Sequence, residues 1–458
     1  MSNTAENNSA VSEKLPFATK LLYGLGDWGN TTTSTIFGFF FAFFLNDIAH
    51  LTPLYAAPVL LIGGIWDAIN DPIIGVLADR VRTRWGRRRP FFLIGALPFM
   101  LTFIMLWWVP PWEDQLLKAL YYAFWYVCWD TSFTFLAVPY SALTPELTED
   151  YDERTHLNGY RMAVSMVGGL IAALAVPIFA ESFPDRRQGY QFMALVFGIL
   201  AGLPYLLLFF QIRERHMSAP RSELNLLSGF RYTWRNHAFR YAAGIYLTAW
   251  VTISVVGSLL QYYITYWLNA PGLLDVLLGL VQGCTLLCVP VMVWLAGRLG
   301  KQRAYLLSTL TFIIVMANLA LIPANGLTAA YFIAACAGLG IAGAHVVPWS
   351  IIPDVIEIDE LETGHRQEGT FYGFMVFLQK TGTAVTLALV QWIFASTGYV
   401  PDAPQNELTL SAIRFLMGGL PAILLIISMI LTWRFPINRV RHAELRAALA
   451  LKRSRGEG

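Results

Sequence analysis

Charge is what this sequence lacks most. Only 14% of its 458 residues are Asp, Glu, Lys or Arg, against about 25% in soluble globular domains, so a water-soluble body is excluded. The 32 basic residues nearly balance the 30 acidic ones for a net charge of +2, which points to neither nucleic acid nor an acidic partner. Cysteine is scarce as well. Cys128, Cys284, Cys288 and Cys336 all fall within apolar runs and read as small packing residues; the Cys284/Cys288 pair lacks the further ligands a zinc site needs. No nucleotide motif, metal cluster or nucleophile constellation is present, which leaves catalysis and primary pumping without support and implies no cofactor. The first sixteen residues are polar, without the basic region and cleavage site of a signal peptide, and are expected to be a cytoplasmic tail.

What is abundant is apolar length. Hydrophobic residues make up 56% and aromatics 14% of the chain, and the mean hydropathy is +0.51. Runs long enough to span about 30 Å of hydrocarbon, ~20 residues each, fall at 20–45, 55–78, 91–109, 117–143, 157–180 and 190–211, and again at 241–268, 273–299, 304–322, 327–352, 370–394 and 412–433. The expected fold class is an all-α membrane protein of twelve transmembrane helices in two six-helix bundles. Its divisions are a tail over 1–16, bundles over 17–211 and 241–433, a linker over 212–240 and a basic tail over 434–458.

Lys and Arg concentrate on one side. Arg80, Arg82, Arg84, Arg87, Arg88 and Arg89 follow the second run, Arg298, Lys301 and Arg303 follow the eighth, and the linker and C-terminal tail are equally basic. The loops on the other side hold only Lys118, Arg186, Arg187 and Arg414. Both termini are therefore expected in the cytoplasm. Within the linker, Leu224 to Arg240 interleaves Leu, Phe, Tyr and Trp with Arg, the pattern of a helix lying along the inner leaflet.

One apolar run carries an expensive feature. Asp67 and Asp71 lie four residues apart, so a helix places them on one face about 6 Å apart, and a charge near mid-membrane costs roughly 3 kcal/mol on insertion scales. Either basic residues from neighbouring spans neutralise them, or they bind a hard monovalent cation or a proton. Asn70 adds an amide oxygen and Thr134, on the fourth run, a hydroxyl. Acidic residues of 146–153 and 354–362, opposite arginines of neighbouring loops, are expected to form cytoplasmic salt bridges that break for inward opening.

The halves also echo each other. Gly75-Val76-Leu77-Ala78-Asp79-Arg80 with Gly86-Arg87-Arg88-Arg89 has a counterpart in Gly297-Arg298-Leu299-Gly300-Lys301, and Pro139-Tyr140-Ser141-Ala142-Leu143-Thr144-Pro145-Glu146 has one in Pro348-Trp349-Ser350-Ile351-Ile352-Pro353-Asp354. Parallel six-helix repeats around a midplane site are the signature of alternating-access transport. The Gly, Asp-Arg and arginine run resembles the loop signature of the major facilitator superfamily. With Trp66-Asp67-Ala68-Ile69-Asn70-Asp71-Pro72, Tyr23-Gly24-Leu25-Gly26-Asp27 and the Pro348–Asp354 motif, the chain from about 17 to 435 resembles the glycoside-pentoside-hexuronide:cation symporters, the melibiose permease group.

That resemblance implies a multi-pass, monomeric protein of a bacterial inner membrane, coupling uptake of a glycoside, pentoside or hexuronide to Na+ or H+. It places the cation at Asp67, Asn70, Asp71 and Thr134, with Asp67 and Asp71 the ligands of Na+ if sodium is the ion. A span-eleven threonine of the family is Val376 here, which weakens sodium against a proton. The family's sugar-binding aspartates correspond to Thr31 and Ala137, and its span-four tryptophan to Ser141. Asp27 and Asp130 lie on the same helix faces and are candidate replacements, with Asp27 alternatively a gating residue. Arg161 and Lys380 match basic pocket residues that neutralise the aspartates when no cation is bound, and either is also a candidate to bind a carboxylate or sulfonate on the substrate.

Trp66, Trp129, Tyr140, Trp349, Tyr372 and Gln379 are candidates to stack on or hydrogen-bond a sugar ring; His345 is either a proton relay or a helix-to-helix hydrogen-bond partner. Trp107, Trp108 and Trp112 are expected at the outer membrane interface. The resemblance extends to lysolipid symporters, so a lipid carrier is the alternative. A non-transporting receptor or scaffold has no use for paired carboxylates at mid-membrane.

Overall fold

The computed structural model describes residues 15–148, 151–212, 226–324, 326–363 and 367–437, with Arg439, Arg441, His442, Glu444 and Leu445 beyond them. The first bundle comprises α1 (Phe17–Phe43), α2 (Pro53–Arg80), α3 (Arg89–Leu106), α4 (Gln115–Ser141), α5 (Tyr151–Glu181) and α6 (Arg186–Gln211). The second comprises α7 (His237–Tyr262), α8 (Leu274–Leu299), α9 (Lys301–Leu321), α10 (Leu327–Thr363), α11 (Glu368–Thr397) and α12 (Glu407–Trp433). Ten of these are long and apolar enough to cross a membrane on composition alone. The other two, α1 and α4, are 27 residues each, about 40 Å at 1.5 Å per residue, and carry the Asp, Asn and Thr that lower their hydropathy.

Local chemistry sets the helix ends. Asp114, Asp185, Asn236 and Asn406 accept hydrogen bonds from the first turns of α4, α6, α7 and α12, satisfying backbone donors the helices cannot. Gly300, at φ +87°, makes the turn from α8 into α9 that a side chain would strain. Helix α5 begins at Tyr151 and α10 ends at Thr363, each running past its apolar stretch into the cytoplasm, because hydropathy marks the hydrocarbon boundary and not the end of the backbone hydrogen bonding.

In the first bundle α1 packs on α5 and α6, α2 on α4, and α3 on α4 and α6; in the second α10 packs on α7, α8 and α9, and α12 on α7 and α9. The bundles meet along α2–α11, α1–α7 and α5–α8. The helix Leu226–Arg235 precedes α7, and Tyr232 donates to Asp359 Oδ2 at 2.6 Å, so the linker is fastened to the cytoplasmic end of α10. Trp107 departs from its expected place. It is fully buried, stacked on Tyr190 at 5.8 Å, because Phe41, Phe44 and Tyr190 form an aromatic core beneath the outer surface. Trp108 and Trp112 are exposed.

Candidate functional site

The α2–α11 crossing sets the distances at mid-membrane. A Cβ on Gly64 would lie 2.3 Å from the Ala384 side chain, and one on Gly63 would lie 1.9 Å from the Tyr126 ring. Both glycines therefore allow approaches that no larger residue permits. One turn further along, the close approach delivers Lys380 of α11 to the two carboxylates of α2. Its Nζ donates to Asp67 Oδ1 and, at 2.7 Å, to Asp71 Oδ2. Thr134 Oγ1 of α4 donates to the other oxygen of Asp71 at 3.0 Å.

Asn70 faces α4, where its amide nitrogen donates to Asp130 Oδ2 and to the Asp130 carbonyl, both at 3.3 Å. Asp130 also interacts with Asp67, so three carboxylates meet one ammonium. Asn70, Asp130 and Thr134 are buried, while Asp67 and Asp71 keep 25% and 31% of their side chains accessible. The four residues expected to hold a cation are thus brought together with Lys380 and Asp130. Trp66 is engaged elsewhere, donating to Thr131 Oγ1 at 2.9 Å.

Arg161 does not join this cluster. Its Nε is 3.4 Å from Asp27 Oδ1 and its guanidinium lies 5.2 Å over the Tyr140 ring, because α5 packs along α1 and sets Arg161 opposite Asp27. Of the two basic residues expected to neutralise the aspartates of α2, Lys380 alone reaches them. Thr31 is paired with Ser165 at 2.6 Å. Tyr140 is fully buried and donates to the Tyr23 carbonyl at 2.6 Å, and Trp129 is buried against Phe37. Neither ring offers a face to a solute in this conformation, since both are enclosed by the first bundle.

The aromatics of the second bundle are more open. Trp349, 38% exposed, stacks on Tyr372 at 5.9 Å and meets the edge of Tyr246; Tyr246 donates to Gln379 Oε1 at 2.7 Å. His345 contacts the Trp250 ring edge-on at 4.9 Å. A cavity of about 490 Å³ begins at Asp67, Gln379, Lys380 and His345 and extends outward among α1, α7, α8, α9 and α10. Its polar end also holds Thr383 and Trp250, whose Oγ1 and Nε1 are buried without partners. The extension is walled by Phe39, Leu260, Ile264, Leu277, Phe312 and Ile333, among others.

A feature the sequence reading missed closes the outer end. Asp47, in the π turn Phe44–Ile48 beyond α1, accepts from the hydroxyls of Tyr266 and Tyr399 and from the Asp402 amide. Asn46 donates to Tyr262 at 2.9 Å and to Gln391 at 2.8 Å. Every one of these bonds joins the first bundle to the second. Two acidic residues of the cytoplasmic stretches pair with lysines of neighbouring spans: Glu153 with Lys20 at 2.8 Å and Asp354 with Lys301 at 2.7 Å. Glu146 and Glu362 have side chains outside the described residues. The outer ends of the two bundles are thus fastened to each other.

Residues 22–439 match the family model described as MFS/sugar transport protein. The chain belongs to that family. It is 33% identical to the uncharacterized symporter sll1374 of Synechocystis sp., over 97% of this chain and 98% of the relative. It is 26% identical to the sodium-dependent lysophosphatidylcholine symporter 1 of Mus musculus, over 95% and 89%. The inward-open xylose transporter XylE of E. coli superposes with a TM-score of 0.67 at 14% identity, over 94% of this chain and 99% of that one. The protein is a multi-pass membrane symporter with the major facilitator fold.

Proposed function

We propose that the chain couples Na+ or H+ entry to uptake of an amphiphilic solute, its phosphate- or carboxylate-bearing head at Lys380 and its apolar portion in the outward extension of the cavity. The observation that carries this reading is the cavity's asymmetry: Lys380, Gln379, His345, Thr383 and Trp250 gather at one end and the remainder is mostly hydrocarbon-walled. A glycoside buries hydroxyls around its whole ring, and each left without a partner costs about 1–3 kcal/mol. The apolar extension suits a hydrocarbon tail instead. Support also comes from relatives named as sodium-dependent lysophosphatidylcholine symporters and a sphingosine-1-phosphate transporter, solutes that join a phosphate to an apolar chain.

Coupling follows from competition at Asp67 and Asp71. One ammonium cannot neutralise three carboxylates, so the cluster has room for further positive charge. A cation taken up between Asp67, Asp71 and Thr134 weakens the hold on Lys380, which is then available to an anionic head. The glycoside reading keeps one specific support, the exposed Trp349 stacked on Tyr372, a surface on which a sugar ring can lie.

A thermal-shift panel separates the two. Lysophosphatidylcholine is expected to raise Tm, and to raise it further with Na+ or with a change of pH, whereas a galactoside and a hexuronate leave it unchanged. Stabilisation by the sugars alone would overturn the amphiphile reading. Indifference to every solute, to Na+ and to pH would overturn cation-coupled symport.

A further inference from the structure

A second cavity, of about 560 Å³, lies at the cytoplasmic end of the second bundle, apart from the transport site. The α8–α9 turn, the inner end of α12 and the C-terminal tail enclose it, and Arg298, Lys301, Arg303, Arg439 and His442 line it with a single carboxylate, Asp354. That carboxylate is already engaged, by Lys301 at 2.7 Å and His442 at 3.4 Å. The three arginines have no acidic partner among the described residues. Arg298 lies 4.6 Å over the Trp294 ring, and Arg439 donates to the Arg298 carbonyl at 3.0 Å. Three guanidiniums lining one cavity repel, and an anion placed among them reduces that repulsion while accepting forked hydrogen bonds.

The cavity's depth in the membrane narrows the anion. Trp294 and Trp433, 54% and 71% exposed, stand beside it at the ends of α8 and α12, and tryptophan exposed at a helix end marks the headgroup level. We propose that this cavity binds a phosphate group at the inner membrane surface, with Arg298, Arg303 and Arg439 as its ligands. An anionic phospholipid headgroup and a free phosphate share that chemistry; basic pockets at the cytoplasmic ends of membrane helices suit the former. Occupancy fastens the tail, through Arg439, to the α8–α9 turn.

The test uses the purified full-length chain in detergent, with Tm read against inorganic phosphate, dioctanoyl phosphatidylglycerol and dioctanoyl phosphatidylcholine. Phosphatidylglycerol is expected to raise Tm and phosphatidylcholine to do so at least tenfold less effectively; an equal response to inorganic phosphate would identify a free anion as the ligand within the same site. The triple variant Arg298→Gln, Arg303→Gln, Arg439→Gln is expected to need at least tenfold more ligand, while Lys380→Ala, which alters only the transport site, retains the response. These arginines are exposed, so the triple variant is expected to elute as a folded monomer. No stabilisation by either phosphate compound, or a triple variant that responds like the parent, would overturn the proposal.

Discussion

Lys380 is the residue on which the midplane site turns, because it crosses from one bundle to satisfy two carboxylates of the other. Removing it with Lys380→Ala leaves Asp67 and Asp71 without their cation. The expected cost is about 2 kcal/mol, below the 3–5 of a fully buried pair, because both carboxylates are partly accessible. In thermal melts Na+ should restore much of that loss; a variant as stable as the parent without Na+ would remove Lys380 from the charge balance. Asp67→Asn is expected to abolish ion-dependent stabilisation, and an unchanged Na+ response would exclude Asp67 as a ligand. Gly64→Val tests the approach itself. Its side chain meets Ala384, so transport should fall at least tenfold while the protein remains membrane-inserted, and normal uptake would show that the α2–α11 spacing is not limiting. The paired carboxylates were legible from their four-residue spacing. Their partner was not, since Arg161 and Lys380 were equivalent until helix packing placed one beside Asp27 and the other beside Asp67.

At the scale of elements, the outer latch has a pH dependence with a definite sign. Asp47 lies past the outer end of the first span, and burial pushes its carboxyl up from 3.8 to about 6, against the hydrogen bonds from Tyr266, Tyr399 and the Asp402 amide. The sealed state therefore holds the proton more tightly than an open state with Asp47 in water. Protonation favours sealing fully below 3.8, and that contribution is lost as pH rises through about 6. Alkylation of a Leu260→Cys variant from outside, with the native cysteines replaced and each rate divided by that of a free thiol at the same pH to remove the thiolate fraction, should slow as pH falls from 7 to 5. The Asp47→Asn variant should lose this pH dependence; if it keeps the full dependence, another group is responsible. The helices themselves were readable from apolar runs of spanning length, whereas Trp107 was misplaced because a run's end does not reveal whether a ring packs inward or outward.

At the scale of the molecule, the proposed competition at the charge cluster shared between the bundles predicts that net uptake depends on the ion gradient. In proteoliposomes, collapsing the Na+ and H+ gradients should abolish accumulation of the solute but leave exchange of internal for external solute intact. Accumulation that survives the collapse would rule out secondary coupling. Twelve spans, two halves and a cytoplasmic basic face follow from composition and order along the chain, since membrane insertion is governed by hydropathy and by the side on which Lys and Arg remain. Which basic residue faces Asp67, whether Tyr140 lines a cavity, and how Asp47 closes the outer end depend on helix rotation and crossing. Those are settled by contacts between residues as many as 355 positions apart, as for Asp47 and Asp402, and no local pattern encodes them.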